Sequence, residues 1–201
     1  MDLYWLHRDD RSRPVAEIID ALIVHQRASR IRHFGCSNWS VGRIKEAQAY
    51  AESLGHVGFI ACQPMGGLAI PDPVALQQYS AGVYYSGEFK GLHEAGLTMI
   101  PYSSQCMGFF SKVAKGGVDS LKEPLKGMYH TPQNLRRAEA VFALAEARQV
   151  SVNEVVLAYL TSQPLLTVPI IGVNGPEQLK ESLKAGELHL TPAELRSLER
   201  D

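Results

Sequence analysis

The sequence predicts an α/β fold in which parallel strands and helices alternate as part of a TIM-type (β/α) barrel. Three observations carry that prediction. Short apolar segments of strand length recur along the 201 residues, and each leads into a helix. The first four end in polar residues able to do chemistry or hold a cofactor, which is the layout of an α/β-barrel active face. The third observation is how few there are: five such units are legible, where a closed barrel has eight and usually needs about 250 residues.

The elements follow in order. Residues 2–7 read as a buried strand ending in His7. After the loop Arg8 to Arg13, Val15, Ile18, Ile19, Leu22 and Ile23 take helical spacing and predict an amphipathic helix. Residues 31–35 form the second strand and end in Cys36, Ser37, Asn38 and Trp39. A helix from Ser40 to Leu54 follows, with Ser40 as N-cap and Gly55 as stop. Residues 57–62 are the third strand, ending in Gln63. A Gly/Pro-rich loop over 64–71 then leads to Asp72 and Pro73, an N-cap with proline at the first helical position. That helix is expected to run towards Ala95, with Gly82 and Gly87 as the places where it would break.

Residues 97–101 are the fourth strand, ending in Tyr102, Ser103 and Ser104. From Gln105 to His130 the glycines and prolines predict loop with short helical pieces. Thr131-Pro132 starts a long helix to Arg148, and Ser151 to Glu154 is a capping box for the next one. Residues 166–171 are the fifth strand. A helix then begins after Asn174-Gly175-Pro176, and Thr191 to Glu194 caps the terminal one. No repeat, low-complexity segment or linker interrupts the chain, so residues 1–201 are expected to be one domain.

Composition narrows the function. A net charge of −1 gives no footprint for nucleic acid or for a membrane surface. The three cysteines, Cys36, Cys62 and Cys106, are odd in number and widely spaced. They form neither a disulfide framework nor a zinc motif, and they predict reduced thiols in the cytoplasm. The N-terminal apolar run is cut short by Asp9 and Asp10, unlike a signal peptide, and no run approaches the length of a membrane helix.

Five segments in register carry a resemblance. They are Asp2 to His7; Ile31 to Trp39; Cys62-Gln63-Pro64; Ile100 to Gln105 with Gly108-Phe109-Phe110; and Pro169 to Gly172 with Pro176 to Glu181. Together these resemble the aldo-keto reductase family from its fourth barrel strand onward. The resemblance implies a truncated barrel and NAD(P)H-dependent reduction of an aldehyde or ketone. His7 would orient the substrate carbonyl as a neutral imidazole donor. Ser37, Asn38 and Gln63 would hold the nicotinamide carboxamide, and Tyr102 would stack on the ring. Ser103, Gln105 and the backbone near Gly108 would approach the pyrophosphate. Gly172, Gln178 and Glu181 would lie along the adenosine end. The cofactor, NADP or NAD, supplies the hydride, and the protein supplies orientation and electrostatics.

The sequence departs from the family in three respects. The family's catalytic tyrosine, with its aspartate and lysine partners, belongs to strands that this sequence lacks, and losing a positioned acid costs about 10²–10⁴ in rate. Gly175 stands where a basic residue would bind the 2′-phosphate of NADP, which weakens a preference for NADP. Ser182 replaces a frequent asparagine. The expected function is therefore a reductase impaired on its own; the alternative is a non-catalytic nucleotide-binding or interaction module. Ser37 and Asn38 could instead simply cap the following helix. Asp9 and Asp10 read as solvated loop acids and Arg136-Arg137 as a solvated helix face. Strands 2–7 and 166–171 would be exposed edges, open to a second copy or to a completing partner.

Overall fold

The computed structural model describes residues 1–80, 82–85 and 87–199. Four parallel strands form one sheet in the order β1-β2-β3-β4: Leu3–Leu6, His33–Ser37, Phe59–Gln63 and Thr98–Met99. The chain divides into two compact units. The first holds Met1–Pro64 with Val83–Ile100, and the second Met65–Gly82 with Pro101–Asp201.

The first unit contains the whole sheet. Helix α1, Val15–Arg27, buries Val15, Ile19, Leu22 and Ile23, the stripe its sequence predicts. Helix α2, Val41–Ser53, is capped by Ser40, whose Oγ accepts from the Arg43 amide at 3.4 Å. The two helices pack on each other and bury Ile44, Ala47 and Ala51 with the strand residues Phe34 and Phe59. Phe34, Phe59 and Trp39 stack edge to face, with ring centroids 5.5 and 5.1 Å apart. Gly35 has to be glycine: a Cβ there would lie 2.6 Å from Trp5 Cζ3 and 2.8 Å from the Ala61 carbonyl oxygen.

β2 and β3 begin two residues later than the apolar runs suggest, while β1 and β4 fall within the predicted 2–7 and 97–101. Ser37 and Gln63 are therefore the last residues of β2 and β3 rather than loop residues, and they pair with each other in register. The long helix expected from Asp72 is two. Helix α3, Pro73–Tyr79, is capped by Asp72 Oδ1, which accepts from the Val74 and Ala75 amides at 2.9 Å, and it belongs to the second unit. Helix α4, Gly87–Glu94, belongs to the first. Gly82 lies between them, where a glycine costs helix about 1 kcal/mol, and residues 81 and 86 of the expected helix lie outside the described residues.

In the second unit come α5, Phe109–Gly116; α6, Leu125–Tyr129; α7, Pro132–Arg148; α8, Val152–Thr161; α9, Pro176–Lys184; and α10, Pro192–Leu198. Val141, Val155, Leu157 and Phe109 are buried among them, with Phe109 against Phe110 and Tyr129. Residues 166–171 add no fifth strand to the sheet. Among the bonds this segment makes, Ile170 N donates to the Pro101 carbonyl at 2.9 Å and the Ile170 carbonyl accepts from Ser104 Oγ. Pro169 and Pro101 each lack an amide hydrogen, so a ladder between these segments loses a donor on both sides. β4 itself is short, Thr98–Met99. Leu166, Val168 and Ile170 expose one face of this segment, at 67, 46 and 39%.

Candidate functional site

The first unit gathers His7, Ser37, Asn38 and Gln63 at the C-terminal ends of its first three strands. Ser37 is buried, and its Oγ donates to the Gln63 carbonyl at 2.8 Å. Asn38 follows with φ 58°, in the left-handed region where asparagine is enriched. That turn folds its carboxamide back over the strand ends. Nδ2 donates to Ser37 Oγ at 3.1 Å and to the His7 carbonyl at 3.3 Å, and Oδ1 accepts from the Val83 amide at 3.2 Å. One side chain thus ties β1, β2 and the start of the 83–85 segment. Asn38 does not cap α2; Ser40 does. His7 is exposed, held through its backbone, and the half-buried Gln63 carboxamide makes no hydrogen bond among the described residues.

A second layer sits behind His7. Arg43 Nε and Nη2 donate to the Asp9 carboxylate, both at 3.0 Å. Nη2 also donates to the Arg13 carbonyl at 3.1 Å and the Asp10 carbonyl at 3.4 Å. The guanidinium lies 5.4 Å from the ring centroid of Trp39. The Asp9 side chain is 5% exposed, so it is not the solvated loop acid its sequence suggests. Hydrogen bonding to Asp9 pushes the Arg43 pKa up further. Asp10 remains exposed, and hydrogen bonds from Ser12 hold its carboxyl below the usual range. The Trp39 indole nitrogen is buried with no hydrogen-bond partner among the described residues.

The second unit carries the other candidates, and all of them except Tyr102 line a groove of about 740 Å³. Tyr102, half-buried, forms an isolated parallel bridge with Met65 and is not part of β4. After it the backbone enters the left-handed region at Ser103, Cys106, Met107 and Gly108, with φ of 55°, 51°, 54° and 77°. This tight path leads into α5 without any side-chain cap, and the first amide of the helix, Phe109 N, donates to the Cys106 carbonyl. Lys112 and Lys115 of α5 line the groove, and Lys112 Nζ donates to the Met107 carbonyl at 3.1 Å.

The opposite wall is built from Asn153 of α8, Gly172, Asn174, and Gln178, Glu181 and Ser182 of α9. Gln105 holds that wall together. Its Nε2 donates to Asn153 Oδ1 at 2.9 Å and Ser182 Oγ at 3.4 Å, and its Oε1 accepts from the Gly172 amide at 3.0 Å. Asn153 Nδ2 donates to the same Ser182 hydroxyl at 3.1 Å, and Gln178 Oε1 accepts from the Asn174 amide at 2.8 Å.

Sequence reasoning missed Lys112, Lys115 and Asn153. Asn153 reads only as the interior of a capping box; its place as the second residue of α8 is the available signal. Arg137, expected on a solvated face, is buried and donates to the Leu68 carbonyl at 2.7 Å. No cluster of His, Cys, Asp or Glu able to hold a metal ion occurs among the described residues. No helix among them is long and apolar enough to cross a membrane.

A model of the Aldo/keto reductase family matches residues 1–200. The chain belongs to that family. An uncharacterized oxidoreductase of Bacillus subtilis is 26% identical over 98% of this chain and 57% of its own length. An aldo-keto reductase of Schizosaccharomyces pombe whose name carries NADP(+) is 24% identical over 98% of this chain and 56% of its own length. The crystal structure of a thermostable aldo-keto reductase in complex with the inhibitor epalrestat superposes with a TM-score of 0.69 at 20% identity. It covers 99% of this chain and 59% of that one. That likeness shows the fold, an α/β arrangement of parallel strands of the aldo-keto reductase type. The chain spans less than three-fifths of the length of these relatives.

Proposed function

We propose that this chain binds a nicotinamide dinucleotide and serves the NAD(P)H-dependent reduction of an aldehyde or ketone. The observation that carries the reading is the groove of the second unit. An uncapped α5 N-terminus, a left-handed backbone run ending at Gly108, and two lysines together suit a pyrophosphate. Ser103 and Gly108 would approach the phosphates, and Gln105 would keep the wall of Gly172, Gln178 and Glu181 in place for the adenosine end. Tyr102 would offer a face to the nicotinamide ring. The family resemblance gives Ser37, Asn38 and Gln63 to the carboxamide. Ser37 and Asn38 arrive oriented by their mutual hydrogen bond, and Gln63 keeps an amide to donate.

The bound nicotinamide supplies the hydride. His7 would donate a hydrogen bond to the carbonyl oxygen, as a neutral imidazole, and so fix the face presented. The proton donor that the resemblance assigns to earlier strands is not among these 201 residues. Turnover by this chain alone is therefore expected to be slow, by about 10²–10⁴ relative to a reductase with a positioned acid.

Titration of the 201-residue chain with NADH, followed by nucleotide and tryptophan fluorescence, tests the reading. Trp39 adjoins Asn38 and is buried, so it reports on that strand end. Saturable binding in the micromolar range is expected. Absence of saturation up to millimolar nucleotide refutes it. Binding without turnover of any aldehyde tested would favour the non-catalytic module.

A further inference from the structure

We infer that the groove of the second unit selects NAD(H) over NADP(H); this rests on the dinucleotide reading above. The two cofactors differ by one phosphomonoester on a ribose, close to two negative charges at neutral pH. The groove's charges decide which of them it tolerates. Both of its cations, Lys112 and Lys115, stand on α5. Two ammonium groups match the two charges of a pyrophosphate, and Lys112 Nζ already donates to the Met107 carbonyl at 3.1 Å. Nothing cationic remains on that wall for a second anion.

The facing wall is worse for a phosphate. Its lining residues from Ile170 to Ser182 include one charged side chain, and that is the carboxylate of Glu181. The loop from Gly172 to Gly175 carries no cation. Lys180 and Lys184 of the same helix are not among the lining residues, and Lys180 Nζ bonds Glu177 at 2.8 Å. A carboxylate accepts from ribose hydroxyls and repels a phosphate. Other dinucleotide folds use that contrast, with an acid for the hydroxyl and an arginine for the phosphate. A phosphate beside Glu181 would lose water and meet no side-chain cation in return.

The structure also shows where a cation could be added. Gly175 precedes α9 with an extended φ of −178°, which any residue adopts, and a Cβ there would meet no atom within 4 Å. Its neighbour Asn174 lines the groove, and Asn174 holds Gln178 through its backbone amide, so its own side chain can be replaced.

The test is equilibrium titration of NADH and NADPH into the parent chain, Gly175→Arg and Asn174→Lys, with circular dichroism confirming that each is folded. The parent is expected to bind NADH about tenfold tighter or more, a difference of about 1.4 kcal/mol. Gly175→Arg should tighten NADPH by about tenfold while moving NADH by less than about threefold, because a new bidentate cation meets only the extra phosphate, and Asn174→Lys should raise the NADPH-to-NADH affinity ratio by about tenfold. NADPH bound as tightly as NADH by the parent overturns the selectivity and leaves the dinucleotide reading standing. So do folded variants that both leave the ratio unchanged. Failure of both nucleotides to bind overturns the dinucleotide reading itself, and this inference with it.

Discussion

Replacing Arg43 by methionine should destabilise the protein far more than an ordinary surface arginine would. Arg43 is 18% and Asp9 5% exposed at the side chain. The substitution keeps the apolar stem over Trp39 and deletes both 3.0 Å bonds to the carboxylate. It also strips the Arg13 and Asp10 carbonyls of their donor. Asp9 would keep only Arg11, at 3.9 Å. Breaking a buried pair on one side costs about 3–5 kcal/mol. The remaining exposure of Arg43 places this pair at the low end, about 3 kcal/mol. For a chain of this size that is a fall of about 6–12 °C in Tm. Asp9→Asn should cost less, about 1 kcal/mol, since an amide oxygen still accepts. The double variant should be more stable than the two losses added, by about 1–2 kcal/mol. Urea denaturation followed by circular dichroism measures all three. An Arg43→Met loss below about 0.5 kcal/mol, the scale of an exposed ion pair, would refute the argument that this pair anchors the loop after β1.

Three further outcomes follow from the same reasoning. Asn134→Ala removes one bond from the Ile70 amide at 2.9 Å and two to the Ile70 and Tyr129 carbonyls at 2.8 and 2.9 Å. Leaving these groups unpaired should cost about 3 kcal/mol, read as a lower urea midpoint at constant slope. All three cysteines are buried, and burial pushes the Cys106 thiol up to about 12. A disulfide reagent at neutral to mildly alkaline pH should therefore find no fast thiol until denaturant is added. The unfolded Cys106 loses its proton more readily, so stability should decline as pH rises from the ordinary thiol range towards 12. Hydrogen bonds from the Thr191 amide and hydroxyl, with the nearby Arg148 charge, hold Glu194 below the usual carboxylate range. Its stabilisation is present at neutral pH and disappears as pH falls through that lowered value. Glu194→Gln should flatten the acid side of a stability-against-pH curve, and an unchanged acid limb would count against the cap.

Helix starts were the most legible part of this chain. Ser40, Asp72, Thr131, Ser151 and Thr191 all cap where their local chemistry says they should, because an N-cap needs only its own next three residues. Strands were legible in kind, and the starts of β2 and β3 were misplaced by two residues, since apolar runs do not mark where a ladder begins. The 166–171 segment reads as a strand because its apolar content is real; its one proline, Pro169, carries the contrary signal. Asp9, Asn134 and Arg137 were beyond reach for a different reason. Their partners are 34, 64 and 69 residues away, and nothing local distinguishes a buried arginine from a solvated one. Lys112, Lys115 and Asn153 fall in the same class, meeting only where the chain folds back into a groove.

β1 has a ladder on one side, to β2, and none on the other among the described residues. Half of its backbone groups therefore exchange with solvent without the sheet having to open, whereas β2 is bonded along both margins. Amide exchange should grade accordingly, slow in β2 and alternating along β1. His7, which the proposed function sets beside the substrate carbonyl, directly follows an edge strand of the sheet. Its stiffness is borrowed from Asn38, which grips its carbonyl, and from Arg43, which clamps the loop beyond it. A strand added along the bare margin would narrow the spread of imidazole positions without touching the imidazole. A gain in precision at His7 could then come from backbone bonds formed on the far side of Tyr4.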